Sequence, residues 1–398
     1  MAVDLEKFEA ETISWLEENC PASMRKPASK PGDLVYGGRR YEFPSEDAKI
    51  WMKRCYEKGW TVPTWPKAYG GAGLGDAENR ILQRAMKKLG CRAPLSGHGV
   101  WMLGPALLEF GNEAQKREHL PKIARGEIRW SQGYSEPGAG SDLASLSCKC
   151  EDRGDHYLVN GQKCWTTDGH VADWIFVLVR TDPHAAIKQA GISFLLIDMS
   201  SPGVSASPVE LINGEAHFSD TFFDDVVVPK ENLVGELHEG WAVAKGLLVH
   251  ERTMMSHLQE LAPAQPVSFR AAADGYLGNH ECSRVTDPIL RDRLVQHLMN
   301  SRAMTLSHRR ALEEGRAGVL DKTSTSYFKA YATEEDKRRD ELLVAMLGTQ
   351  GLGWDGEGFT EQELKVPRYF LMNKSLSIGG GTTEVQLNLV AKALGLPS

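Results

Sequence analysis

No apolar run in this chain approaches the ~20 residues that a membrane-spanning helix needs. The opening Met1-Ala2-Val3-Asp4-Leu5-Glu6 has no basic stretch followed by an apolar one, so no secretory leader is expected. Basic residues do not predominate either. The formal net charge of −7 lacks the basic footprint of a nucleic-acid binder. The seven cysteines form no ligand set. Cys148 and Cys150 would share one face of a strand, but no second pair or nearby histidine completes a metal site. An odd count without a leader reads as reduced thiols in a cytoplasmic protein. The phosphate-binding pattern Gly-x-x-x-x-Gly-Lys-Ser/Thr is missing, and Gly70-Gly71-Ala72-Gly73 follows no strand pattern, which argues against a nucleotide hydrolase. A nicotinamide fold would need strands alternating with helices, and the chain shows no such alternation. Internal repeats and low-complexity tracts are missing too. The expectations are no membrane, no nucleic acid and no metal.

What is present is ample core. The 398 residues, 41% hydrophobic and 25% charged, suit a globular protein of two or three domains. Helical patterns fill the first block: Asp4 can cap a run through Leu5, Phe8, Ile13 and Trp15-Leu16, and Ser45 opens another helix toward Gly59. Between 128 and 232 the pattern turns to strands. His156-Tyr157-Leu158-Val159 leads into an expected Asn160-Gly161 turn, while 174–179 and 192–197 read as buried strands. Helix returns after 233, with Asp287-Pro288 starting a long segment to about Gly315 and a loop at 348–358. The predicted class is α+β: an all-α domain (1–127), a β-barrel-like domain (128–232) and a C-terminal four-helix bundle (233–398).

Two segments carry the chemistry. Ser131-Gln132-Gly133-Tyr134-Ser135-Glu136-Pro137-Gly138-Ala139-Gly140-Ser141-Asp142 is a loop sequence rich in free backbone donors and hydroxyls. Lys163-Cys164-Trp165-Thr166-Thr167-Asp168 sets an indole among hydroxyls. Either alone can be a glycine-rich turn or a core tryptophan. Together they suit a flat aromatic ligand with a polar rim, such as a flavin: Trp165 as a stacking face, Ser135 and Thr167 at the edge.

At this spacing the pair resembles the flavin-binding middle of the acyl-CoA dehydrogenase family. The resemblance continues in order along the chain: the stretch 59–74, beginning Gly59-Trp60-Thr61-Val62-Pro63; Gly104-Pro105-Ala106-Leu107-Leu108-Glu109-Phe110-Gly111 with Gln115-Lys116; Phe222-Phe223-Asp224-Asp225 with Gly240-Trp241; and Gly380-Gly381-Thr382-Thr383-Glu384. It implies FAD as cofactor, an acyl-CoA as substrate and an electron-transfer flavoprotein as electron acceptor. It implies an oligomer as well, of one chain or with a sister chain. It assigns Gln132, Tyr134, Ser135, Gly140, Ser141, Trp165, Thr167, Thr382 and Glu384 to the cofactor, and Ser141, Arg252 and Gly381 to the substrate.

Members remove the substrate α-proton with a carboxylate, which many carry in the last loop directly before Gly-Thr. Here that place is Gly380, without a side chain. Members resembling the isovaleryl- and long-chain-specific enzymes carry the acid on a helix just before an arginine, and this chain has Glu251-Arg252 there. Trp241, Ala244, Leu247, Leu248, Met254 and Met255 recur at helical spacing, and Glu251 falls within that stripe. An acid on an apolar face is desolvated, and its raised pKa suits a base near neutrality. His250, facing elsewhere, reads as structural. The resemblance implies that the backbone N–H of Gly380 holds the thioester oxygen as enolate charge develops.

The chain departs from the family pattern in two places. Its only Phe-Gly pair is Phe110-Gly111, so the usual Arg-x-x-Phe-Gly after the base helix is missing and 269–296 is reorganised. The loop Leu347-Gly348-Thr349-Gln350-Gly351-Leu352-Gly353 lacks its usual leading glutamine. Two alternatives therefore stand beside FAD-dependent formation of a trans-2-enoyl-CoA: a flavin-poor partner subunit, and a flavoenzyme of the same fold with altered chemistry. The small residues of Ser96-Gly97-His98-Gly99-Val100 mark either a tight helix entry or, with open volume at Gly380, room for a bulky or branched acyl group, as in bacterial enzymes of fatty acid or steroid catabolism.

Overall fold

The computed structural model describes residues 4–26, 28, 31–248, 250, 267–277, 285–319 and 323–396. They divide into two compact units, one drawn from Met1–Val209 with His217–Pro263, the other from Glu210–Ala216 with Ala264–Ser398. No helix among the described residues is long and apolar enough to cross a membrane.

The first unit opens with α1 (Leu5–Asn19), α2 (Glu46–Glu57), α3 (Asp76–Leu89), α4 (Gly104–Phe110) and α5 (Glu113–Ala124). The caps fall where short polar side chains precede amphipathic runs: Asp4 accepts from the Lys7 N–H and Ser45 from that of Ala48. Strands follow: β1 (Trp130–Gly133), β2 (Lys149–Asp152), β3 (His156–Thr167), β4 (Trp174–Arg180), β5 (Ile192–Asp198), β6 (Val204–Val209), β7 (Phe218–Pro229) and β8 (Leu233–Val234). They form one sheet in the order β6-β7-β3-β2-β4-β5-β8, with β1 parallel to β4.

Strands β4 and β5 are buried on both faces, which explains their continuous apolar runs, while β6 and β7 alternate more and less buried positions. Ile175, Val177 and Val179 of β4 join Cys148, Cys150, Tyr157 and Leu195 on one side. Phe176 and Phe194 stack on the other, in a core shared with Leu103, Leu107 and Leu120 of the helical part. Helix α6 (residues 240–248) adds Val243, Ala244 and Leu247 to that core.

The expected turn at Asn160-Gly161 is instead a bulge within a continuous β3. The ladder to β7 shifts register between Val159 and Gly161, and again between Lys163 and Thr166. Asparagine-glycine favours a tight hairpin locally, but the long pairing with β7 fixes this segment as strand.

In the second unit α9 (Ser324–Leu347) packs against α7 (Phe269–Tyr276), α8 (Pro288–Arg316), α10 (Glu361–Met372) and α11 (Thr383–Ala393). Asp287 caps α8 by accepting from the N–H groups of Ile289 and Leu290. Leu342, Leu343, Met346 and Leu347 of α9 join Val366, Ala272 and Val285 in the core of this unit.

Candidate functional site

The candidate residues fall on two surfaces, one in each unit. In the first unit β1 runs into the glycine-rich loop. Glu136 and Ala139 exchange backbone hydrogen bonds of 3.1 and 3.0 Å, making a tight turn whose tip, Pro137-Gly138, is exposed. Gly133 allows the close approach of β1 to β4, since a Cβ there would lie 2.5 Å from Val177. Above Gly138 and Gly140 the space is open to 4 Å.

A buried ion pair fixes this loop to β3. Lys163 is fully buried, and its Nζ lies 2.7 Å from Glu136 Oε1 and 3.2 Å from the Tyr134 carbonyl. Glu136 also accepts from the backbone N–H of Ser147 (2.6 Å) and of Cys148 (2.9 Å). Burial works to raise the Glu136 pKa. The Lys163 charge and these donors outweigh it and leave the carboxyl below its ordinary value. Neither residue stood out in the sequence as a pair, because nothing local links positions 136 and 163. The one signal was Lys163 at an inward-facing position of a strand pattern.

With the loop so held, the two chemistry-bearing segments lie side by side. The Cys164 N–H donates to the Ser135 carbonyl at 2.9 Å, and the Ser131 hydroxyl to that of Thr167 at 2.7 Å. The side-chain hydroxyls of Ser135 and Thr167 make no hydrogen bond to another described residue. Within the second register shift, between Lys163 and Thr166, stands Trp165, in left-handed backbone at φ 57° and 59% exposed. Its indole meets Phe218 edge-on, with ring centroids 5.7 Å apart. A bulge re-aims a side chain, and a large aromatic held outward at a conformational cost is a mark of a ligand surface. Tyr134 is buried against Phe176 and Phe194, while Gln132 is half-buried and Ser141 exposed.

In the second unit, Gly380 and Gly381 take left-handed backbone at φ 66° and 89°. The Gly380 N–H donates to no described residue, and nothing lies within 4 Å of where its Cβ would be. Thr382 caps α11 by accepting from the Val385 N–H at 3.3 Å. The Glu384 carboxyl is held below its ordinary pKa by its own backbone N–H and by Thr382. Lys329 of α9, unmarked by the sequence, donates to the Gly381 carbonyl at 2.6 Å and anchors the loop.

Glu251 and Arg252 lie outside the described residues. Residues 240–248 before them bury Val243, Ala244 and Leu247 and expose Lys245. His250 Nε2 lies 3.5 Å from a Glu109 carboxylate oxygen on α4. Among the described residues no cluster of His, Cys, Asp and Glu is arranged to hold a metal ion.

Comparison with known proteins identifies the family of the whole chain. Models of the acyl-CoA dehydrogenase N-terminal, middle and C-terminal domains match residues 34–127, 131–226 and 238–395. The acyl-CoA dehydrogenase IpdE1 of Mycobacterium tuberculosis is 33% identical over 402 residues, covering 99% of this chain and 98% of its own. Among solved structures, the Tcur3481-Tcur3483 steroid ACAD aligns with a TM-score of 0.75 at 28% identity, covering 100% of this chain and 98% of that one. The ChsE4-ChsE5 complex from Mycobacterium tuberculosis aligns at 0.70 and 27% identity, covering 100% and 99%.

Proposed function

The chain belongs to the acyl-CoA dehydrogenase family, and on that premise we propose that it desaturates an acyl-CoA thioester between Cα and Cβ, with Glu251 as the base. Members are oxidoreductases and flavoproteins, and the residues of the first unit fit FAD. The observation that carries the reading is Trp165, an exposed indole in left-handed backbone beside the free hydroxyls of Ser135 and Thr167. FAD bound there supplies the acceptor for the hydride leaving Cβ, so that loss of one proton and one hydride yields the trans-2-enoyl-CoA.

The protein's own groups do the rest. The Glu251 carboxylate takes the α-proton, and its place on an apolar helix face favours the protonated product of that transfer. The Gly380 N–H, which donates to no described residue, holds the thioester oxygen as enolate charge develops. Gly380, the place of the acid in many family members, carries no side chain, in keeping with a base supplied from elsewhere in the sequence. Trp165 stacks on the isoalloxazine, Ser135 and Thr167 hydrogen-bond its rim, and Gln132, Tyr134, Gly140 and Ser141 complete the cofactor loop. Thr382 and Glu384 are assigned to the cofactor, where family members reach that of a neighbouring subunit, and Ser141, Arg252 and Gly381 are assigned to the substrate. The reduced enzyme hands its electrons to an electron-transfer flavoprotein. Names among the structural neighbours, a steroid ACAD and a complex of two chains, support a bulky acyl group and assembly with a sister chain. The domain limits proposed are 1–127, 128–232 and 233–398.

The experiment is Glu251→Gln in the FAD-loaded protein, followed by flavin absorbance on adding substrate. Bleaching is expected to slow by about 10²–10⁴-fold, the usual worth of general-base catalysis, while FAD content holds. Bleaching at the parental rate removes Glu251 from the mechanism.

A further inference from the structure

We propose that a narrow crevice in the first unit, lined by Tyr36, Gly97, His98, Val100, Arg129 and Trp130, is a specificity subsite for one hydrogen-bonding oxygen, hydroxyl or ketone, on the acyl skeleton. The proposal rests on the acyl-CoA reading above and names the substrate class more closely.

The crevice borders the surface that carries Thr167. Arg129 on its wall forms an ion pair with Asp168, the residue after Thr167. Trp130, also on the wall, precedes Ser131, whose hydroxyl holds the Thr167 carbonyl. Its irregular backbone is built in: Gly97 sits at φ 120°, and residues Gly99–Leu103 form a π-helical turn. Such turns cost stability and concentrate at functional sites. A Cβ at Gly99 would press on Trp130 at 3.0 Å, so the wall is closed there by design of the sequence.

The chemistry of the lining selects among ligands. Arg129 is matched by Asp168 and lies over the Tyr36 ring at 4.5 Å, so it offers no spare charge to an anionic group. His98 makes no hydrogen bond to another described residue. Burial lowers its pKa and keeps the imidazole neutral, with one N–H to give and one lone pair to accept. A neutral donor and acceptor beside a phenol suits a hydroxyl or ketone. A hydrocarbon placed there would leave the desolvated imidazole unpaired, and sites of this kind discriminate strongly against analogues lacking the polar group. The crevice has room for about one water-sized group, which fits a substituent on the skeleton rather than the chain itself.

The test uses the FAD-loaded protein with octanoyl-CoA, its 5-, 6-, 7- and 8-hydroxy derivatives and 7-oxo-octanoyl-CoA. Dissociation constants come from calorimetry, and kcat/KM from flavin bleaching. At least one oxygenated thioester is expected to bind ten times more tightly than octanoyl-CoA. In His98→Leu that ratio should fall below about threefold, and in His98→Gln, which keeps a donor and an acceptor, it should recover in part. A flat series in the parent protein, or a ratio unchanged in His98→Leu, overturns the proposal and leaves the crevice a site for resident water only. A binding preference without bleaching by any thioester would instead count against the acyl-CoA dehydrogenation reading while upholding the subsite.

Discussion

Strand β4 and helix α8 treat their apolar residues in opposite ways. Ile175 through Val179 are all fully buried, because the chain supplies a packed layer to each face of the sheet. Along α8, Ile289 is 69% exposed, Met299 is 61% exposed, and Val295, Leu298 and Leu306 are exposed as well. The buried positions of α9 meanwhile include Glu335 and Asp340, held by His297, Asn300, Arg339 and Asn373. Strand β4 is covered on both faces within its own unit. The other unit closes part of its core with polar networks and leaves apolar side chains outside, as expected of a chain completed by another copy or a sister.

The sharpest test of this contrast is Lys163→Met. It strands a buried carboxylate in the first unit and should cost about 3–5 kcal/mol, read by urea denaturation with probes in each unit. Adding Glu136→Leu should recover most of the loss. An equal loss in the second unit would erase the distinction between a self-sufficient unit and a dependent one.

A second test uses His119, buried between Trp130 and Trp174 with ring centroids at 5.2 and 5.0 Å. Burial pushes its pKa down from 6.5 to about 4. Below pH 6.5 the unfolded chain takes up a proton that the folded chain refuses. The stabilising share of His119 is thus whole above that pH and lost as pH falls through 4. The loss is about 3 kcal/mol at 1.36 kcal/mol per unit. His119→Phe should show a correspondingly shallower decline in stability between pH 6.5 and 4, measured by denaturation at each pH.

The exposed face can be broken directly. Leu298→Glu with Met299→Lys should weaken assembly by about 1–3 kcal/mol, seen in sedimentation as dissociation at concentrations where the parent stays associated. An unchanged distribution would show that this face of α8 covers nothing. Gly380→Ala should give the smallest effect, about 1–2 kcal/mol from placing a Cβ in left-handed backbone. The site is otherwise open, so a larger loss of stability would mean that the loop is packed more tightly than its surroundings suggest.

Local rules carried much of the fold into view. Asp4, Ser45 and Asp287 cap the helices their positions announce, and the apolar runs at 174–179 and 192–197 are the buried strands β4 and β5. The loop before Asp142 and the Trp165 segment are neighbours, as their chemistry required. What stayed hidden depends on distant partners. The Asn160-Gly161 bulge answers to β7, the burial of Lys163 to Glu136, and the order of the Gly380 loop to Lys329. Apart from the inward-facing position of Lys163 in its strand pattern, nothing local in the sequence names these partners.

The pairing of β3 also sets when the surface of Trp165 and Thr167 can exist during synthesis. Its first half has an early neighbour in β2, but the half bearing Trp165 and Thr167 pairs only with β7, Gly161 to Phe223 and Thr167 to Phe218. A ribosome adding 5–20 residues per second needs roughly 3–10 seconds to travel from that half-strand to its partner. Until then the indole and its hydroxyls have no ladder to hold them. A nascent chain halted near residue 210 should therefore carry the helical part without this surface in place, leaving an aromatic-bearing strand edge unpaired for that interval.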